Sequence, residues 1–129
     1  MPGKYLLDTN IVVSFFRNPA SIQARLTQAD EVYASSIVVG ELYFGAYKSN
    51  LTQANLAQVE LFIANNKVLN CDVDTARQFG IIKAQLQAKG RMIPENDIWI
   101  AATTLQHGLV LATRDAHFKE VANLSYEAW

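Results

Sequence analysis

Cysteine and histidine are scarce in this sequence, and their scarcity excludes several kinds of site. Cys71 is the one cysteine, so the chain cannot form an internal disulfide or supply the clustered thiolates of a structural zinc site. Since only two histidines accompany it, a metal site here would have to use oxygen ligands. Such ligands suit hard divalent cations, Mg²⁺ or Mn²⁺. Cys71 itself ends an apolar stretch, and we expect it in the core.

An excess of positive charge is also lacking. The chain has 11 Lys and Arg against 12 Asp and Glu, which gives a formal net charge of −1. Proteins that attract nucleic acid electrostatically usually carry a basic excess. A nucleic-acid-binding protein of this composition would therefore need a bound cation and a local group of basic side chains. The candidates for phosphate contact are Arg17, Lys48, Arg114 and Lys119, although a solvated surface position is the commoner explanation for any one of them.

No hydrophobic run is long enough to cross a membrane. The opening residues meet Asp8 too early for a secretory signal, so we expect a cytoplasmic protein with no membrane partner. Half of the residues are hydrophobic and 18% are charged, a balance that favours a packed core. The length of 129 residues, without internal repeats or linkers, predicts a single domain over residues 1–129.

Short apolar strands alternate with helices along the chain. The predicted strands are Tyr5–Leu7, Glu31–Ala34, Val68–Cys71, Leu109–Thr113 and Leu124–Tyr126. The predicted helices cover about 11–16, 22–28, 37–47, 50–65, 74–90 and 94–108. Asn50 and Gln53 have the spacing of a capping box for the fourth helix. This alternation predicts an α/β fold in three layers, an α/β/α sandwich with a central, mostly parallel sheet.

Four acidic residues occupy positions that such a fold brings together. Ligands of parallel sheets bind just beyond the carboxyl ends of the strands. Asp8 and Asp115 follow two predicted strands, Glu41 lies in the helix after another, and Asp97 begins a helix. Two carboxylates about 5 Å apart repel by roughly 3 kcal/mol at an effective dielectric of about 20, so a cluster requires protons or a cation. A cation held by Asp8 and Asp97, with Asp115 as a third candidate ligand, would suit phosphodiester hydrolysis.

Each acid also has an ordinary structural explanation. Asp8 could cap a helix, and Asp97 could interact favourably with a helix N-terminus. Asp115 could be a turn residue. Glu41 is harder to explain in this way, because it interrupts an apolar stretch where an unpaired charge is costly. The four positions taken together favour a functional site.

Four segments resemble, in order, the motifs of PIN-domain nucleases. They are residues 5–10 (YLLDTN), 35–46 (SSIVVGELYFGA), 96–102 (NDIWIAA) and 111–118 (LATRDAHF). Each motif alone is weak, whereas the ordered set spans nearly the whole chain and is specific. The small size is similar to that of the VapC-like toxins of type II toxin–antitoxin systems. Trp99 departs from the pattern, since an aliphatic residue is expected there.

The resemblance implies a PIN-like fold and a divalent-metal-dependent endoribonuclease that inhibits growth as a toxin. It implies an acidic catalytic quartet of Asp8, Glu41, Asp97 and Asp115. It implies that Mg²⁺ or Mn²⁺ binds to Asp8, Asp97 and Asp115. It places Thr9, Asn10 and Thr113 nearby, where they would position carboxylates or contact substrate. Arg114, a candidate phosphate contact by its charge, is the remaining expected substrate-binding residue. The implied partners are RNA, a small antitoxin and a second copy of the chain.

Other function classes fit the sequence less well. A PIN-like module that binds nucleic acid or protein without catalysis would not need an intact quartet. A receiver-type phosphoacceptor domain would need adjacent acids early in the chain and a late Lys, and the sequence has Asp8 alone and then Arg114. A haloacid-dehalogenase-like phosphatase would need a second Asp where Asn10 stands.

Two further features have open interpretations. His117 lies near Asp115 in the sequence and is a candidate substrate contact or a surface residue. Two short predicted helices are rich in aromatic residues, which could belong to the core or to an apolar patch for a protein partner. These aromatic residues are Phe15, Phe16, Tyr43, Phe44 and Tyr47.

Overall fold

Five strands and six α-helices make up residues 3–129, the part of the chain that the computed structural model describes. The strands are β1 (Lys4–Leu7), β2 (Glu31–Ser35), β3 (Lys67–Leu69), β4 (Val110–Thr113) and β5 (Tyr126–Ala128). The helices are α1 (Thr9–Arg17), α2 (Gln23–Gln28), α3 (Ser36–Tyr47), α4 (Thr52–Asn65), α5 (Val73–Ala88) and α6 (Glu95–Gln106). Two 3-10 helices cover Pro19–Ser21 and Ala116–Glu120.

The sheet has the strand order β3-β2-β1-β4-β5, and every neighbouring pair is parallel. Leu6 of β1 stands opposite Tyr33 of β2 on one side and Leu111 of β4 on the other. Both leucines are fully buried, as central strands of a sheet covered on both faces require. The α/β/α architecture with a parallel sheet is therefore confirmed.

This strand order places a topological switch point between β1 and β4. From β1 the chain moves to β2 and β3 on one side, whereas β4 continues to β5 on the other. The connections that leave the carboxyl ends of β1 and β4 thus diverge and leave a crevice between them. Asp8 and Asp115 follow these two strands, which positions them at that crevice.

Helices bury apolar side chains against the sheet and against each other. α1 buries Ile11 and Val12, and α6 buries a continuous run from Ile100 to Thr104. α3 packs on α4, and α5 packs on α6, where Trp99 stacks on Phe79 with 4.1 Å between ring centroids. None of the helices in residues 3–129 is both long and apolar enough for a membrane span.

The structure departs from the sequence-based boundaries at two strands and at the helix starts. β3 covers Lys67–Leu69 rather than Val68–Cys71, and β5 covers Tyr126–Ala128 rather than Leu124–Tyr126. The capping box expected at Asn50 is wrong: α4 begins at Thr52, and its cap position has no side-chain hydrogen bond. A capping box forms instead at α5, where Asp72 accepts from the backbone N–H of Thr75 at 3.1 Å and donates its own N–H to the Thr75 hydroxyl at 3.0 Å. Cys71, expected in the core, is only half-buried.

Candidate functional site

Asp8 is the most deeply buried acid of the crevice, with 4% of its surface exposed. Its backbone N–H donates to the carbonyl of Ala112 at 2.9 Å, so the β1–β4 pairing extends to the aspartate itself. The carboxylate accepts from the N–H of Thr9 at 2.8 Å, the hydroxyl of Thr113 at 2.7 Å and the amide of Asn10 at 3.2 Å. Asp8 therefore caps α1, as the structural explanation expected, and it is also held in one orientation at the strand end.

Burial raises the pKa of Asp8 to about 6. Hydrogen bonds from Thr113 and Thr9 lower this pKa, while the nearby carboxylates of Asp97 and Glu41 raise it further. All the donors that reach the Asp8 carboxylate are neutral. Its negative charge is thus only partly compensated by the protein.

Glu41 reaches the same crevice from α3. Ser35 ends β2 and caps α3 by accepting from the N–H of Val38 at 3.2 Å, which fixes where the helix begins. Glu41 is half-buried, and its carboxylate accepts a hydrogen bond from the Thr9 hydroxyl at 2.6 Å. This bond links α3 to the first residue of α1, and it explains how a charge is tolerated within an apolar helix.

Asp97 and Asp115 are joined by an imidazole. Nδ1 of His117 lies 3.1 Å from Asp97 Oδ2 and 3.0 Å from Asp115 Oδ1. Asp115 caps the 3-10 helix by accepting from the N–H of His117 at 2.9 Å, and its own N–H donates to the Thr113 hydroxyl at 3.0 Å. One potential metal-ligand atom from each of Asp97, Asp115 and His117 lies within 4.8 Å of the others, a spacing that could hold a metal ion.

Shifts in pKa show how Asp97, Asp115 and His117 influence each other's ionisation. The hydrogen bond to Asp97 raises the pKa of His117, so the contact favours the protonated form of the ring. The pKa of Asp97 is raised, first by burial and then by the charge of Asp115, although His117 lowers it. The position of His117 two residues after Asp115 is the one sequence feature that points to this double contact.

All four acids of the predicted quartet line one open cleft of about 660 Å³. Thr9, Asn10, Arg17 and Arg114 line it as well. Thr113 does not, because it lies beneath Asp8 with 2% of its surface exposed and its hydroxyl bonded to Asp8 and Asp115. Of the two roles expected for Thr113, this burial favours the positioning of carboxylates over a direct contact with substrate.

The predicted phosphate contacts divide between three places. The backbone N–H of Arg114 donates to Asn10 Oδ1 at 3.2 Å, and its Nε donates to the carbonyl of Trp129 at 2.6 Å, which anchors the guanidinium at the rim of the cleft. Arg17 lies at the same cleft. Lys48 lines an adjoining groove, and Lys119 lines a separate pocket with His117.

The donor set fits a hard divalent cation. Carboxylate oxygens are the preferred ligands of Mg²⁺ and Mn²⁺. Among residues 3–129 no Lys or Arg makes an ion pair with Asp8, Glu41, Asp97 or Asp115. Burial and neighbouring carboxylates raise the pKa values of Asp8 and Asp97, and a bound cation would counteract both effects by stabilising the ionised carboxylates. The cleft thus has both the ligands and the electrostatic need for a divalent ion.

An acidic cleft at the switch point of a parallel sheet places the chain in the class of α/β proteins whose site is suited to holding a divalent metal and to hydrolysing phosphate esters. The PIN domain model matches residues 5–124, and the chain belongs to the PIN domain family. Relatives within that family include VapC proteins. The chain is 42% identical over 129 residues to "Ribonuclease VapC2" of Haemophilus influenzae, with 98% of each chain covered. It is 35% identical to "tRNA(fMet)-specific endonuclease VapC" of Shigella flexneri, again with 98% of each covered.

Solved structures agree with this assignment. The fold superposes with a TM-score of 0.91 on VapBC2 from Rickettsia felis bound to a promoter DNA fragment, at 28% identity and 98% coverage of both chains. It superposes with a TM-score of 0.90 on VapBC-1 from nontypeable Haemophilus influenzae, at 30% identity and the same coverage. The PIN-like fold and the VapC-like resemblance expected from the four motifs are confirmed.

Proposed function

We propose that this chain is a divalent-metal-dependent endoribonuclease that acts as a growth-inhibiting toxin and is neutralised by a cognate antitoxin. The observation that carries the proposal is the cleft itself. Four carboxylates face it without a Lys or Arg partner among residues 3–129, in a chain whose relatives are named as ribonucleases. Such a cleft concentrates the negative charge that a metal cofactor needs for binding.

The proposed metal ligands are Asp8, Asp97 and Asp115, and the proposed ion is Mg²⁺, with Mn²⁺ as the alternative. A bound ion of this kind lowers the pKa of water and neutralises charge on a phosphate oxygen. Thr113 and the N–H of Thr9 hold the Asp8 carboxylate in place. Rigid placement of ligands in this way is what makes a metal site effective.

Glu41 is proposed to orient the attacking water and to accept its proton. The Thr9 hydroxyl fixes one oxygen of this carboxylate at 2.6 Å, and the residue lines the cleft with the other acids. A general base must lie within hydrogen-bonding reach of the proton that it removes. Asn10, Arg17 and Arg114 are proposed to contact the phosphates of the substrate, since all three line the cleft.

RNA is the proposed substrate, and initiator transfer RNA is the first one to test. Relatives from Shigella flexneri and Salmonella typhimurium, each 35% identical to the chain, carry the name tRNA(fMet)-specific endonuclease. The net charge of −1 requires that attraction to RNA be local. Arg17 and Arg114 beside the acids provide such local attraction.

A small antitoxin and a second copy of the chain are the proposed protein partners, and the cytoplasm is the proposed location. Related solved structures are VapBC toxin–antitoxin complexes. On α3, Phe44 and Tyr47 expose 66% and 65% of their surface, which leaves aromatic area for a partner to cover. Phe15, Phe16 and Tyr43 instead pack against the core. Sedimentation of a monomer at micromolar concentration would contradict the homodimer.

Induced expression in a bacterium tests the proposed activity. We expect growth arrest and discrete RNA fragments from the wild-type chain, and neither from Asp8→Asn, which removes a ligand charge but little volume. Growth arrest by both proteins would separate toxicity from the acidic cleft and contradict the mechanism. Metal-independent binding of RNA with no fragments from either protein would favour the alternative, a binding module without catalysis.

A further inference from the structure

The basic side chains of this protein fall into two groups. Of the 11 Lys and Arg, five make ion pairs with carboxylates: Lys4, Arg25, Lys67, Arg77 and Lys83. The other six make no ion pair among residues 3–129: Arg17, Lys48, Lys89, Arg91, Arg114 and Lys119. In a chain of net charge −1, these six are the cations with charge available for a ligand.

The six are not scattered over the surface. Arg17 and Arg114 line the acidic cleft, and Lys48 lines the groove that shares Thr9 and Glu41 with it. The remaining three, Lys89, Arg91 and Lys119, lie near Glu120: Lys89 donates to its backbone carbonyl, and the other two line a pocket with it. This pocket has a volume of about 310 Å³.

His117 joins this pocket to the acids. The ring lines the pocket, while its Nδ1 lies 3.1 Å from Asp97 and 3.0 Å from Asp115, both of which line the cleft. An extended polymer bound across the four acids would therefore reach the pocket just beyond the imidazole ring. Arg91 and Lys119 are exposed, so both cationic ends can reach such a molecule.

The pocket offers more than charge. Met92 lines it and exposes 50% of its surface beside the two cations. An exposed thioether next to basic groups suits a nucleotide, because a base or ribose can pack on the apolar part while the cations contact phosphate. Glu120 contributes one negative charge to the lining, but its Oε2 is shielded from solvent, and Lys89 donates to its backbone carbonyl.

We propose that Arg91, Met92 and Lys119 form a subsite for an RNA nucleotide that flanks the scissile phosphate. This inference rests on the proposed ribonuclease function. The RNA backbone then runs from Arg17 and Arg114, across the acids, past the His117 ring and onto the pocket. Recognition at this subsite is through phosphate and the face of a base, so it contributes affinity more than sequence choice.

The test compares two double variants that remove the same charge. Arg91→Gln/Lys119→Gln alters the subsite, and Lys67→Gln/Arg77→Gln removes two cations that form exposed ion pairs elsewhere. With initiator transfer RNA as the probe, we expect the first variant to raise KM about tenfold with kcat within about twofold of wild type. Its plot of log KM against log salt should be shallower by about 1.5. The control should match wild type in both.

Conservative exchange separates charge from structure. Arg91→Lys/Lys119→Arg keeps both cations and should restore the wild-type salt slope, and Lys119→Gln alone should show about half of the change. Equal KM and equal salt slope in the subsite variant and the control would overturn the proposal. So would a rise in KM that the charge-preserving variant fails to restore.

Failure of the proposed function is detected separately. In an Asp8→Asn background that does not cleave, the affinity for the same transfer RNA is measured by fluorescence anisotropy over a range of salt. If wild type does not cleave but the subsite variant still flattens the salt dependence of binding, the ribonuclease function is wrong and the subsite stands. If wild type cleaves and neither binding nor KM responds to the subsite variant, the subsite is wrong.

Discussion

The two ends of the parallel sheet hold acids in opposite electrostatic environments. At the amino end, Glu31 begins β2 between Lys4 of β1 at 3.9 Å and Lys67 of β3 at 3.3 Å. A hydrogen bond from Tyr33 and then one from Lys67 lower the pKa of Glu31. At the carboxyl end, Asp8 receives only neutral donors, and burial raises its pKa to about 6. The chain neutralises Glu31 with its own cations. At the carboxyl end His117 contacts Asp97 and Asp115, whereas Asp8, with neutral donors alone, is left for an external cation.

This difference shows that the acidic cleft lies where its charges lower the stability of the metal-free fold. In a parallel sheet all the amino ends of the strands lie at one edge and all the carboxyl ends at the other. Either edge could therefore hold a cluster of acids or of ion pairs. The acids cluster at the end where the switch point opens a crevice between β1 and β4. Unfavourable charge placed there disfavours the metal-free fold, and a cation that binds the folded site offsets this cost.

The largest effect should come from removing a carboxylate at the open end. We expect Asp97→Asn to lower kcat for cleavage of initiator transfer RNA by about a hundredfold or more, because a ligand charge beside Asp115 and His117 is lost. Glu31→Gln makes the same chemical change at the opposite end and should leave kcat unchanged. Steady-state cleavage in excess Mg²⁺ measures both.

Equal losses in the two variants would show that global charge, rather than the acidic cleft, controls activity. Full activity of Asp97→Asn would remove this residue from the proposed ligands. Circular dichroism at the assay temperature confirms that both variants are folded when they are compared.

The second effect concerns stability without metal. The pKa of Asp8 is raised from 3.8 to about 6, so the folded chain holds this proton more tightly than the unfolded chain does. Stability of the metal-free protein therefore falls as pH rises through this range, by about 3 kcal/mol for this one group. In EDTA at pH 7.5, Asp8→Asn should raise Tm by about 5 °C or more.

The pH dependence identifies the cause of that gain. At pH 4, where Asp8 is protonated when folded, the advantage of Asp8→Asn over wild type should disappear. Addition of Mg²⁺ at pH 7.5 should raise Tm of wild type more than that of the variant. A variant that melts below wild type at pH 7.5 in EDTA would show that the hydrogen bonds to Asp8 outweigh its buried charge.

A third, intermediate effect tests the positioning of the ligands. Thr113→Val keeps the shape of a fully buried side chain but removes the donor to Asp8 and the acceptor for the N–H of Asp115. We expect the concentration of Mg²⁺ for half-maximal activity to rise about tenfold. Thr104→Val is the matched control, since that buried hydroxyl donates to the carbonyl of Ile100 on α6. If both variants shift the metal requirement equally, the effect is structural.

Much of the candidate site could be predicted because strand ends and interrupted apolar runs are visible in a sequence. Asp8 and Asp115 follow apolar strands, and Glu41 breaks an apolar helix. The role of His117 could not be predicted in this way. Its contact with Asp97 spans 20 residues and depends on how α6 packs beside the 3-10 helix.

Helix capping shows the same limit. Asn50 and Gln53 have the spacing of a capping box, yet the box forms at Asp72 and Thr75, where Gln106 of α6 also donates to the Asp72 carboxylate at 2.8 Å. The spacing of residues in the sequence does not reveal such tertiary hydrogen bonds, although they help to decide which of two similar segments forms a capping box.

The smallest effect should come from the amino end, and its sign should be opposite. A lowered pKa means that Glu31 stabilises the fold above its unfolded pKa and loses this contribution as pH falls through its folded pKa. Glu31→Gln should therefore lower the urea midpoint slightly at pH 7 and less so at high salt, because the ion pairs are exposed. The difference should shrink as pH falls through the folded pKa of Glu31. A gain of stability at pH 7 without metal, as expected for Asp8→Asn, would show that Lys4 and Lys67 do not neutralise this acid and that the two ends of the sheet do not differ in the proposed way.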